Sequence, residues 1–179
     1  MERLDAVLGM PLILRAGLHD EAGLLNARET RQVKRALVQF CGRFPQVHVA
    51  FLIKEPPTVV PLRTWTFWLF NRGHFSTALD KGFVNRDMLL VLDPVARRMA
   101  LTVGYGLEPF VGQRDLSAAL DSGRAALEAG DWAEACCQVL VALDHGLQVI
   151  IGRMPRTYGV PMPLLLLEQD EPVAGGSGW

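Results

Sequence analysis

Disulfide pairing, membrane insertion and strong charge are all poorly represented in this chain. It has three cysteines, Cys41, Cys136 and Cys137. An odd count with two adjacent members gives no disulfide framework, so they read as buried thiols of a reducing compartment. No apolar run approaches the ~20 residues that span a bilayer. Leu164-Leu-Leu-Leu167 is short and hemmed by Pro161, Pro163 and Glu168. The apolar stretch at residues 6–14 follows Glu2 and Asp5 rather than a basic start, and no small-residue cleavage site follows. The expectation is a cytoplasmic chain, or a periplasmic one if a leader has been removed. Net charge is −1 with a pI near 6.4, so no global field draws nucleic acid or acidic lipid.

Familiar chemical signatures are missing as well. There is no phosphate-cradling Gly-x-x-x-x-Gly-Lys-Ser/Thr run, no Gly-x-Ser-x-Gly elbow and no His-x-x-x-His pair. Gly104-x-Gly106 is followed by Pro109 and fails the dinucleotide fingerprint. The four histidines are scattered. His48 falls within an apolar run and reads as a core or half-buried residue. His145 reads as surface or packed. His19-Asp20-Glu21 is of interest as a metal cluster only if it folds over the site proposed below.

What remains is an ordinary globular composition: 179 residues, 50% hydrophobic and 21% charged. One domain with a real core is expected. Residues 1–23 read as an arm without clear period, in which Leu12-Ile-Leu14 is either a short strand or a packed segment. Asn26 with Glu29 forms a capping-box pattern. Val33, Ala36, Leu37, Phe40 and Cys41 then repeat at helical spacing, up to a stop near Gly42. Residues 46–53 read as a strand buried on both faces. Residues 62–71 read as a crossover helix with Trp65, Trp68 and Leu69 inward and Phe67 or Phe70 partly exposed.

Met88-Leu-Leu-Val-Leu92 and Arg98-Met-Ala-Leu-Thr-Val103 pair as an antiparallel hairpin around Asp93-Pro94. Leu116, Ala119, Leu120 and Leu127 mark a helix stopped at Gly130. Asp131 and Glu134 resemble a second capping box, and the stripe from Trp132 to Leu147 marks the last helix. The predicted fold is α/β: a small mixed sheet with a parallel crossover and an antiparallel hairpin, sandwiched by helices. The domain is placed at 24–152. Residues 153–179 form an irregular extension with a Gly/Ser tail.

The segments Trp68-Leu-Phe-Asn-Arg-Gly73, Met88-Leu-Leu-Val-Leu92 and Val103-Gly-Tyr-Gly-Leu-Glu108, in this order of elements, resemble the TPM domain family. That family takes its name from a thylakoid lumen protein, a photosystem II repair protein and a modulator of a nematode acetylcholine receptor. The resemblance spans about residues 24–150. It implies an α/β sandwich, and either acid phosphatase activity or an accessory role in assembling or repairing membrane complexes. Two departures stand out. Asn85-Arg-Asp-Met-Leu89 replaces the family's Asn-Gly-Val-Leu, and Gln113 stands where the family tends to place an aspartate. Both remove parts of an inherited metal or phosphate site.

Chain direction locates a candidate site. Asp87 opens one hairpin strand and Gly104 closes the other, so both belong at one rim of the sheet. The binding loop is then Gly104, Tyr105, Gly106 and Glu108, beside Asn85, Arg86, Asp87 and Asp115, with Arg72 and His74 close enough to approach. Asp87, Glu108 and Asp115 suit a hard cation, Ca²⁺ or Mg²⁺. Arg86 or Arg72 suits a phosphate. The competing reading makes Glu108 and Asp115 helix caps, pairs Asp87 with a local arginine, and uses Gly104 and Gly106 for positive φ in a tight turn. The expected function is a non-catalytic interaction module with a protein partner, linked to a membrane complex only through that partner. The alternative is a metal-dependent phosphomonoester hydrolase in which Asp87 and Arg86 are the catalytic candidates.

Overall fold

The computed structural model describes residues 2–73 and 86–153. Ten elements follow in order. They are α1 Glu2–Leu8, β1 Gly17–Asp20, α2 Ala27–Arg43, β2 His48–Ile53, α3 Leu62–Arg72, β3 Asp87–Asp93, β4 Arg98–Val103, α4 Gln113–Ser122, α5 Arg124–Ala129 and α6 Trp132–Arg153. The strands lie in the order β1-β2-β3-β4. β1, β2 and β3 are parallel, and β4 is antiparallel to β3. This is the mixed α/β sheet that the sequence predicts. No helix of the described residues is long and apolar enough to cross a membrane.

Alternation along the central strands divides the core. Val49, Phe51 and Ile53 join Met88, Leu90 and Leu92 beneath α2 and α6. Ala50, Leu52, Leu89 and Val91 point the other way, to Leu62, Trp65, Trp68, Leu69 and Phe70 of α3. Every β3 residue is buried because both faces are covered. Large side chains sealed this way contribute roughly 1.5–3 kcal/mol each.

Local chemistry sets the ends of α2. The Asn26 Oδ1 accepts the Arg28 and Glu29 N–H groups at 2.8 and 3.0 Å, and Glu29 returns a carboxylate oxygen to the Asn26 N–H at 2.8 Å. Asp131 makes only half of such a box. It accepts the Glu134 N–H at 3.0 Å, but the Glu134 carboxylate turns to Gln32 and Gln138 instead. That choice ties α6 to α2. In α3, Phe67 is the aromatic left exposed, and Phe70 is buried.

The first 23 residues are more than an arm. β1 adds an edge strand to β2, and α1 lays Leu4 and Leu8 against the α3 side of the core. Leu14 is the packed part of the expected segment, 2% exposed. The helix expected to run to Gly130 is broken into α4 and α5 at Gly123. There the backbone carbonyl of Ala135 in α6 would lie 2.8 Å from an added Cβ. The C-terminal extension from residue 154 lies outside the described residues.

Candidate functional site

Two registers assemble the rim predicted from chain direction. The parallel pairing of β2 and β3 sets His48 beside Asp87. The antiparallel pairing of β3 and β4 ends with the Gly104 N–H donating to the Asp87 carbonyl at 2.9 Å. The Arg86 carbonyl accepts the His48 N–H at 3.3 Å. His48, Arg86, Asp87 and the Gly104 turn are therefore neighbours at the starting ends of β2 and β3.

The rim holds a polar pair that the sequence reading did not join. His48 Nδ1 lies 3.1 Å from Asp87 Oδ1. The carboxylate is nearly buried, with 9% side-chain exposure, whereas the imidazole is 43% exposed. His48 is thus the half-buried alternative of the expectation, with a functional neighbour that the sequence did not disclose. An ionised carboxylate only accepts, so facing one Nδ1 is the donor and Nε2 is left as the ring nitrogen outside this bond. A carboxylate that orients a solvent-facing imidazole is equipped for proton transfer.

The Gly-Tyr-Gly-Leu-Glu segment forms a turn closed by the Leu107 N–H on the Gly104 carbonyl at 2.9 Å. Neither glycine has a positive φ, contrary to expectation, so the Gly104–Leu107 turn is not of the type that sets its third residue in the left-handed region. Gly104, Gly106 and Leu107 are buried, and they hold Tyr105 outward at 72% exposure. Glu108 is exposed.

Asp115 serves as a helix cap. It occupies the first turn of α4, and its Oδ2 accepts the Gly112 N–H at 2.9 Å. The capping reading holds for Asp115, while Glu108 makes no such bond among the described residues. Arg72 is committed elsewhere, with Nε donating to Asp5 Oδ1 at 2.9 Å and Nη2 pairing with Oδ2. His19 bonds the Arg15 carbonyl at 2.8 Å, and Asp20 accepts the Leu24 and Leu25 N–H groups. Both sit at the far end of the parallel strands, not over this rim. Asn85 and His74 lie outside the described residues.

Among the described residues, no three of His, Cys, Asp and Glu group to hold a metal ion. Among the described residues, the side chains shown in contact at this rim are one carboxylate and one imidazole.

The model of the TPM domain matches residues 18–145, well over half of the chain. The chain belongs to the TPM domain family. The match begins inside β1, which places that strand within the TPM domain rather than in a preceding arm. Three NMR structures share the fold. The N-terminal domain of a protein from P. gingivalis is 24% identical over 74% of this chain and 82% of that one, with a TM-score of 0.60. The N-terminal domain of the cg2496 protein from Corynebacterium glutamicum is 19% identical over 72% and 78%, with a TM-score of 0.52. The BA42 protein from the psychrophilic Bizionia argentinensis is 8% identical over 70% and 83%, with a TM-score of 0.56. Identities this low establish the shared fold alone. No curated protein matches the chain by sequence.

Proposed function

We propose that this TPM domain is an interaction module, non-catalytic, that serves the assembly or maintenance of a larger protein complex, including a membrane complex reached through its partner. The observation that carries the reading is Tyr105. A buried, hydrogen-bonded turn holds its ring in solvent at 72% exposure. A rigidly presented aromatic with few torsions to order is the residue type that anchors protein interfaces. Asp115, which a metal-dependent mechanism would want as a ligand, is used to cap α4. Affinity capture from native lysate by the wild-type chain and by Tyr105→Ala tests the reading. Partners kept by the wild type and lost by the variant support it, and identical sets overturn it.

One observation favours a second reading, phosphomonoester hydrolysis. The His48–Asp87 pair stands beside Arg86 at an accessible rim. In this reading Asp87 orients the imidazole, His48 Nε2 moves the proton and Arg86 holds the phosphate. Calorimetric titration with Ca²⁺ and Mg²⁺, run beside turnover of p-nitrophenyl phosphate, separates the two. Metal binding with turnover that disappears in Asp87→Asn displaces the module reading. Neither binding nor turnover retires the hydrolase.

A further inference from the structure

Among the described residues, β4 is an outer strand of the sheet, and only one of its backbone edges is used. The bond from the Gly104 N–H to the Asp87 carbonyl marks a hydrogen-bonded pair. Antiparallel ladders alternate, so the next such pairs are Leu89–Thr102, Val91–Ala100 and Asp93–Arg98. The N–H and C=O groups of Met99 and Leu101 therefore point away from β3. Neither residue finds another backbone partner among the described residues. An open edge of this kind is a template for a further strand.

Beside Met99 this edge opens into a cleft of about 590 Å³. The start of α3 forms one wall, and α4 with α5 forms the other. Four arginines line it, Arg63, Arg97, Arg98 and Arg124, against the two carboxylates of Asp121 and Glu128. Arg98 is paired with Asp93 at 3.0 Å, and Arg124 with Asp121 at 2.5 Å. Arg63 has no ion pair among the described residues. Arg97 donates to the backbone carbonyl of Glu128, a bond that leaves its charge in place. The opposite outer strand, β1, is only four residues long.

We propose that this cleft binds an extended acidic peptide segment of a partner protein, which adds to β4 as a fifth strand. Backbone groups of the peptide meet Met99 and Leu101, and its Asp or Glu side chains meet Arg63 and Arg97. Strand addition of this type takes affinity from main-chain bonds and selectivity from flanking side chains. The arginines also decide against a second copy of the same chain. Two such edges would bring like charges together, whereas an acidic strand complements them. The proposal is independent of the Tyr105 turn, which lies at the other end of β4.

The test uses the full chain, ¹⁵N-labelled, and four probes. These are an eight-residue peptide alternating valine and glutamate, the same peptide N-methylated at alternate residues, its lysine counterpart, and inorganic phosphate. The glutamate peptide should slow hydrogen exchange at Met99 and Leu101. N-methylation should weaken it by about tenfold or more, because it removes the strand bonds. The Arg63→Glu, Arg97→Glu double variant, with folding checked by circular dichroism, should weaken it to a similar degree, by about tenfold. Equal binding of the N-methylated or lysine peptide overturns the proposal. So does phosphate binding at these arginines without any peptide effect on the two amides, which would describe an anion site. Protection of Met99 and Leu101 without peptide, together with dimerisation in sedimentation velocity, would assign the edge to self-pairing and overturn it as well.

Discussion

Asp5 accepts the indole N–H of Trp68 at 2.7 Å and so fastens α1 to α3 across 63 residues of chain. Arg72 forks onto the same carboxylate. The Arg72 bond first, and the Trp68 bond second, hold the Asp5 carboxyl below its ordinary value of 3.8. A carboxyl whose folded pKa is lowered adds stability above its unfolded pKa and loses it as pH falls through the folded value. The tie should therefore persist at neutral pH and fail only below about pH 3.8. Tryptophan emission should show a step in that acid range. The step should be missing from Asp5→Asn, and a step of the same midpoint in that variant would refute the assignment.

Gly123 separates α4 from α5 because nothing larger fits. An added Cβ would lie 2.8 Å from the Ala135 carbonyl, 3.0 Å from Val139 Cγ2 and 3.2 Å from Met99 Cε. The methionine end can swing aside, but the α6 backbone cannot. Its φ of −87° carries no strain, so the effect of Gly123→Ala should be steric alone. We expect a loss of about 1–3 kcal/mol, as for other overpacked sites. Urea unfolding should show a lower midpoint with an unchanged slope. A midpoint equal to wild type would mean that α6 yields.

The three thiols should differ in reactivity. Cys136 is fully buried, and burial pushes its thiol well up, with the charges of Cys137 and Asp20 adding to the effect. Cys41 and Cys137 are partly exposed, and burial raises them too. Thiolate is the reacting form, so iodoacetamide at mildly alkaline pH should spare Cys136 in the folded chain. In urea all three should react alike. Folded-state labelling of Cys136 as fast as Cys137, read by peptide mass, would contradict the packing described here.

The cap of α2 is local and reciprocal, which makes its removal simple to interpret. Asn26→Ala should cost about 1 kcal/mol, within the range for lost N-caps. Asn26→Gly should cost only a few tenths, since the glycine backbone still serves as a cap. Thermal melts of the two variants provide the comparison, and equal losses would count against the capping account.

These elements also mark what the amino-acid order discloses. Asn26 and Glu29 are three residues apart, and their bond can be read directly. So can the inward set Trp65, Trp68 and Leu69, because helical spacing alone selects that face. β1 is harder to see. Its four residues are all half-buried and show no alternation, so the strand exists through the edge that β2 offers it. α1 did carry a signal in Leu4 and Leu8, four residues apart on one face. The break at Gly123 depends on how closely α6 approaches, a distance no local pattern contains. The same holds at the candidate site. Asp87 and Gly104 are joined by a hairpin and could be placed together from chain direction. His48 meets Asp87 through a parallel register across 39 residues, and only the assembled sheet sets that register.

The two parallel crossovers have one more consequence. Each advances the sheet by one strand in the same direction, yet α2 lies over one face and α3 over the other. β2 and β3 are thereby sealed from both sides, by helices that chain order alone would not assign to opposite layers.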